Sequence, residues 1–332
     1  MPVFEDVYSR VVKDYPPFRP TVSSTDPNSS LARYKFTFDI LNTEVPRTGT
    51  VLDVGAWPGV LTTCIKRSGL DVTAVDKAAR RQTEWSPDRL LSGTWILSSE
   101  SDALTFQELC SREKIALAEL DIEDSPLPFA DDYFDAVVLT EVIEHLWRNP
   151  IFVLSEINRV LRKDTGILIL STPNFLSFRN RVNFLMGRID RVIENPFVAF
   201  AKRDRLGHLG HLRLYSISEI LMMLSMLGFE CQFLFSLPQV DDALIAKNIQ
   251  ESLCPKIGGS KAPNNDLGFR LTRFVKKLFR SPMGYLTAMN ATAIEIVEKI
   301  SPRLRAQMFV VARKRTCSAD ANLQRDLEHV LA

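Results

Sequence analysis

The sequence predicts an α/β protein: a parallel sheet with helices on both faces. Three observations carry this. Apolar runs of strand character at 51–54, 72–75, 115–120, 134–140 and 166–171 are separated by helical patterns, the alternation that right-handed βαβ crossovers impose. The first run stops at the glycine turn Gly55-Ala56-Trp57-Pro58-Gly59, and the second ends on Asp76. Hydrophobic content of 45% and charged content of 24% are those of an ordinary globular chain, so the pattern can be read as a packed fold.

Taken in order, residues 1–30 read as a peripheral extension, because Pro16, Pro17 and Pro20 precede a polar stretch. A helix is expected over 31–43, with Phe36, Ile40 and Leu41 on one side. After the first strand, 62–68 forms a crossover helix that Gly69 stops. Residues 105–114 are helical. Asp131-Asp132 makes a turn, and 141–146 begins a short helical stretch. Pro150 opens a helix to 161. Residues 174–189 read as helical and 190–213 as irregular. A helix over 218–227 has Ser216 or Ser218 as its N-cap and Gly228 as its stop. Strands follow at 229–235 and, much later, at 308–312.

The 332 residues suffice for a full core. A net charge of +1 supplies no global attraction to nucleic acid or an anionic surface. Five scattered cysteines, none in a C-x-x-C pair, favour reduced thiols and a cytoplasmic setting over a disulfide frame or zinc site. No leader-like segment and no run of 18 apolar residues is evident, so neither secretion nor a membrane span is expected.

The turn after the first strand suits a nucleoside without phosphates. Asp76 follows Asp53 by 23 positions, about where an acceptor for ribose hydroxyls is expected. Trp57 stands where dinucleotide sites carry a second glycine, which argues against NAD and FAD. No P-loop pattern is present.

Further motifs extend this reading. Asp121-Ile122, the run 126–135, Glu141-Val142-Ile143-Glu144-His145-Leu146, Asn158-Arg159-Val160-Leu161-Arg162 and Ser171-Thr172-Pro173-Asn174 follow in sequence. With the glycine turn they resemble the class I S-adenosylmethionine-dependent methyltransferases, in particular the small-molecule branch called type 11. The resemblance covers residues 31–236 and 306–315. It implies a Rossmann-like, seven-stranded, mostly parallel sheet whose last strand is antiparallel and hairpins with the strand at 229. Residues 237–305 become a helical insertion or lid, and 316–332 a tail. It implies S-adenosylmethionine as cofactor, held by Asp53, Gly55, Ala56, Trp57, Gly59, Asp76, Lys77, Asp121, Ile122 and Thr140. Backbone N–H groups of the turn would meet its carboxylate, Asp76 its ribose hydroxyls and Asp121 its adenine amine. Methyl transfer is then an in-line displacement, accelerated mainly by positioning.

On the acceptor side, His145 is the candidate base, assisted by Glu141, His208 or His211. Glu141, Glu144 and His145 are spaced i, i+3, i+4, which shares one face on a helix. Together with His211 they make an alternative metal set, similar to that of metal-dependent small-RNA 2′-O-methyltransferases; a metal-free site is the preferred reading. The segment 267–280 pairs an apolar stripe with Arg and Lys residues. It reads as a lid helix, with peripheral membrane contact the alternative; few aromatics interleave the charges, so nucleic acid is the less favoured partner. The expected activity is O-methylation of a small molecule, sugar, or glycan or lipid precursor. The alternatives are metal-dependent RNA 2′-O-methylation and a non-catalytic cofactor-binding subunit, the last suggested by the bulk of Trp57.

Overall fold

The computed structural model describes residues 2–15, 30–77, 105–146, 148–185, 187, 211–237 and 307–315. The expected lid over 237–305, the 267–280 segment, His208 and the 316–332 tail lie outside these residues, apart from Leu237 itself.

Seven strands form one sheet: β1 (Thr50–Val54), β2 (Asp71–Asp76), β3 (Ala116–Glu119), β4 (Ala136–Thr140), β5 (Ile167–Pro173), β6 (Phe229–Leu237) and β7 (Gln307–Lys314). Their order is β3-β2-β1-β4-β5-β7-β6. The first five pair in parallel. β7 runs antiparallel to both β5 and β6, so it slots between them as expected of a late returning strand.

The central strands are buried on both faces and therefore read as continuous apolar runs. Their side chains divide by period two. Val51, Val72, Ala74, Ala136, Val138, Ile167, Ile169 and Phe309 belong to one core cluster. Leu52, Val54, Val75, Val137, Leu139, Leu168, Leu170 and Val310 belong to the other.

Helices α1 (Phe4–Asp14), α2 (Ser30–Glu44), α3 (Val60–Ser68) and α4 (Phe106–Glu113) cover the first face. Helices α5 (Pro150–Val160) and α7 (Ile217–Met226) cover the second. The shorter α6 (Phe178–Leu185) follows β5. Local sequence explains several boundaries. Thr105 with Glu108 and Ser216 with Glu219 form capping boxes at α4 and α7. The Asn149 side chain caps α5, with Pro150 in its first turn.

Two expectations are corrected. Residues 1–30 are not all peripheral: α1 buries Phe4, Val7, Tyr8, Val11 and Val12 completely. Their i, i+3, i+4, i+7 spacing makes one apolar stripe, which packs in the same cluster as α2 and α3. Tyr15 Oη donates to Glu113 at 2.7 Å, and Arg67 bonds both Glu113 and Asp14, tying α1, α3 and α4 together. The helix predicted over 174–189 is likewise shorter. Asn174 instead bridges Tyr215, and α6 begins only at Phe178.

Candidate functional site

Parallel strands deliver their C-terminal ends to one rim, and the strand order reverses between β1 and β4. Ligands of open α/β sheets bind at such a point. Asp76, Thr140 and the Gly55–Gly59 turn all sit there. Asp76 and Thr140 are half-buried.

The turn is built tightly. Gly55 has φ +74°, and a Cβ there would lie 2.3 Å from Val142 Cγ2. Its glycine character is thus demanded by the approach of the segment after β4, as well as by a left-handed backbone. Gly55 and Ala56 N–H donate to the Val75 carbonyl at 2.8 and 3.3 Å, and Gly59 N–H donates to Ala56. Trp57 N–H donates to Asp76 Oδ2 at 2.8 Å. The Trp57–Pro58 peptide is cis. The expectation that the turn's own N–H groups face a ligand carboxylate is therefore corrected: they close the turn on β2 and on itself. Gly59 caps α3 without any side-chain hydrogen bond, so the first turn of α3 offers the helix-terminal donors instead.

Asp53 is also placed differently from expectation. It is buried beneath the turn, where Thr62 Oγ1 donates to its Oδ2 at 2.6 Å. Burial pushes its carboxyl up to about 7, against the Thr62 bond and with the added repulsion of Asp76. Asp53 braces the turn from below. Asp76 remains the acceptor at the surface: Trp57 N–H and Lys77 N–H occupy one lone pair on each oxygen, leaving capacity for a diol. Burial also raises Asp76, opposed by those two N–H groups and by Lys77. Asp121 Oδ2 pairs with Lys77 Nζ at 2.9 Å, and Oδ1 accepts from Glu123 N–H at 3.0 Å. Despite burial, these partners hold Asp121 below its ordinary range. Ile122 is buried with Leu52, Val54 and Val75. Trp57 is 39% exposed.

Past β4 the chain does not continue as the helix that the i, i+3, i+4 spacing predicted. Glu141 adopts φ +57°, and only Ile143–His145 forms a 3-10 turn. Glu141 and Glu144 consequently take different hydrogen-bond partners. Glu141 Oε1 accepts from Ser171 Oγ at 2.9 Å; its Oε2 accepts from Gln307 Nε2 at 3.1 Å and pairs with Arg33 at 3.0 Å. Glu141 is not among the residues whose ligand atoms cluster there, which removes it from the four-residue metal set. Arg33, Ser171 and Gln307 come from α2, β5 and β7, and no spacing in the sequence links them to the rim. Glu144 is fully buried. Burial first, and then the Glu141 carboxylate, push its pKa well above the usual range.

His145 and His211 do meet. Their ring centroids are 5.0 Å apart at 62°. The Glu144 carbonyl accepts the Leu212 N–H at 2.9 Å and the Arg213 N–H at 3.3 Å, so the 211–213 segment is laid across the 3-10 turn.

Residues 31–232 match the family model described as "Methyltransferase domain". The chain belongs to that family. A Mycolicibacterium smegmatis protein named "Probable S-adenosylmethionine-dependent methyltransferase" is 37% identical over 106 residues, covering 32% of each chain. A Mycobacterium tuberculosis protein of the same description is 35% identical over 103 residues, covering 31% of this chain and 33% of its own. The match thus spans about a third of the curated relatives' length. Among solved structures, an S-adenosylmethionine-dependent methyltransferase from Archaeoglobus fulgidus is 15% identical with a TM-score of 0.44, covering 85% of this chain and 94% of its own. Geranyl diphosphate methyltransferase, solved with S-adenosylmethionine, is 14% identical with a TM-score of 0.43, covering 86% and 85%.

The methyltransferase domain's rim residues fit S-adenosylmethionine. The half-buried Asp76 carboxylate can accept from both hydroxyls of a ribose. The first turn of α3, with no side-chain cap, suits the carboxylate of the methionine end. No helix among the described residues is long and apolar enough to cross a membrane.

Proposed function

We propose that this protein is an S-adenosylmethionine-dependent methyltransferase that methylates a hydroxyl oxygen of a small molecule, a sugar, or a glycan or lipid precursor. The observation that carries the oxygen acceptor is the convergence of His145 and His211 beside the β1–β4 crevice, with ring centroids 5.0 Å apart. A hydroxyl must lose its proton to become a useful nucleophile, and imidazoles are the side chains suited to promote that near neutral pH.

When bound, the cofactor supplies a methyl group on a sulfonium, already activated for displacement. The protein's task is placement. Asp76 holds the ribose, the N-terminus of α3 holds the amino-acid carboxylate, and Ile122 with Asp121 borders the base. Asp53, bonded to Thr62, keeps the turn between them in shape. The Glu141 network with Arg33, Ser171 and Gln307 ties the end of β4 to α2, β5 and β7. His145 and His211 receive the acceptor's hydroxyl.

The test is methyl-labelled cofactor incubated with the purified protein and a fractionated cell extract. Label should enter a polar small-molecule, glycan or lipid fraction through an alkali-stable ether linkage. His145→Ala should lower that transfer at least about hundredfold, the range of a general acid–base contribution, while cofactor affinity stays the same. Label recovered in an amine or thioether product would overturn the oxygen acceptor.

A further inference from the structure

The Glu144 side chain poses a problem that the methyl-transfer reading alone does not solve. The residue is fully buried in the 3-10 turn after β4. Its Oε2 accepts from Thr172 Oγ1 at 3.0 Å. Its Oε1 is buried and has no hydrogen-bond partner. A buried carboxylate oxygen left without a donor is costly, and such groups in native folds call for a specific partner.

The surroundings indicate which partner. Glu144, His145 and His211 each offer one ligand atom, and these atoms all lie within 4.8 Å of one another. Two elements far apart in sequence supply them, and backbone bonds fix their meeting. Leu212 and Arg213 N–H both donate to the Glu144 carbonyl. Just beyond, Phe175 N–H donates to the Tyr215 carbonyl at 2.9 Å. His211 is thereby held over His145, not left to swing. Burial falls from Glu144 through half-buried His145 to exposed His211. The cluster is closed on the Glu144 side and open on the His211 side.

We propose that Glu144, His145 and His211 form a site for one divalent transition-metal ion. Two imidazoles and one carboxylate suit Zn²⁺, Co²⁺, Mn²⁺ or Fe²⁺ and not the all-oxygen preference of Mg²⁺ or Ca²⁺. Ligand bonds of about 2.1 Å in tetrahedral geometry put donor atoms roughly 3.4 Å apart. Small side-chain rotations therefore close the set. Thr172 orients the carboxylate from behind, as outer-shell partners of metal ligands do. Glu141 is not in the cluster; Arg33, Ser171 and Gln307 hold its carboxylate elsewhere. Three protein ligands leave positions open on the exposed side. There the acceptor's hydroxyl would bind, and the cation would lower its pKa. With the ion bound, the two imidazoles promote that proton's loss through it; the proton leaves to solvent water on the exposed side as the oxygen takes the methyl and the cofactor departs as the neutral thioether. This role for the cation rests on the methyl-transfer reading; the site itself does not.

The experiment uses the untagged full chain, stripped with chelator and titrated with Co²⁺ under visible absorption and with Zn²⁺ in a calorimeter. One ion per chain should bind, with a ligand-field band in the Co²⁺ spectrum. Glu144→Gln, which keeps the side chain's shape, and His211→Ala, at an exposed position, should each weaken binding at least about tenfold. No saturable Co²⁺ binding, or equal binding by His211→Ala, would overturn the site and leave a metal-free carboxylate–imidazole pair. S-adenosylmethionine affinity of the stripped protein is measured alongside. Cofactor binding without metal binding removes this site alone, and metal binding without cofactor binding removes the methyl-transfer reading alone.

Discussion

Replacing Gly55 by alanine probes whether the rim has the shape described. Two costs can be separated. The residue sits at φ +74°, and an L-residue held in the left-handed region costs roughly 1–2 kcal/mol. Its Cβ would also stand 2.3 Å from Val142 Cγ2, and overpacking of this kind costs about 1–3 kcal/mol. Gly55→Ala should therefore destabilise by about 2–5 kcal/mol. Gly69 supplies the control: it has φ +102° and nothing within 4 Å of a built Cβ. Gly69→Ala should cost only the backbone share, roughly 1–2 kcal/mol. Val142→Ala removes the clashing methyl, so the double variant Gly55→Ala/Val142→Ala should recover about 1–3 kcal/mol relative to additivity. Urea unfolding at fixed pH, with slopes compared among variants, reads all four values. Equal costs for Gly55→Ala and Gly69→Ala, with no coupling to Val142, would refute the packing of the turn against the post-β4 segment.

Asp53→Asn should flatten the pH dependence of stability. The folded state keeps the Asp53 proton up to about 7, whereas an unfolded chain loses it near 4. The wild type therefore loses stability as pH rises through that window, by at most about 4 kcal/mol. Melting temperatures from pH 4 to 8 should show the asparagine variant gaining on wild type, and parallel profiles would contradict this. Asp76→Ala should weaken S-adenosylmethionine at least about tenfold in calorimetry, since a charge-assisted pair of hydrogen bonds is lost; unchanged affinity would remove the ribose assignment. Phe4→Ala should destabilise by about 3–5 kcal/mol in chemical denaturation, because Phe4 is fully buried against Tyr8 and Phe38. A cost under about 1 kcal/mol would return α1 to the periphery.

Much of the sheet was legible because central strands are apolar on both faces and their helices carry local punctuation. Gly69, Pro150, Ser216 and Gly228 mark ends through backbone requirements that act within a few residues. The acidic end of β2 and the glycine turn were legible for the same reason. Four features escaped. The α1 stripe was masked by the prolines that follow it, although Phe4, Val7, Tyr8 and Val11 carried the signal. The 141–146 segment was misread because spacing reports a face only if the backbone is helical, and the left-handed Glu141 breaks it. Arg33 and Gln307 reach Glu141 from the first and last thirds of the chain. Such tertiary convergence leaves no local periodicity to read. The assignment of turn N–H groups to a ligand failed similarly, since only the pairing of β1 with β2 brings the Val75 carbonyl to Gly55.

A crystal of the full chain grown with S-adenosylhomocysteine, the demethylated product, is the most direct measurement. The account requires the ribose diol on Asp76, the amino-acid carboxylate at the first turn of α3, and the thioether sulfur directed toward His145. Density for the compound elsewhere on the surface, or with its ribose away from Asp76, would contradict it.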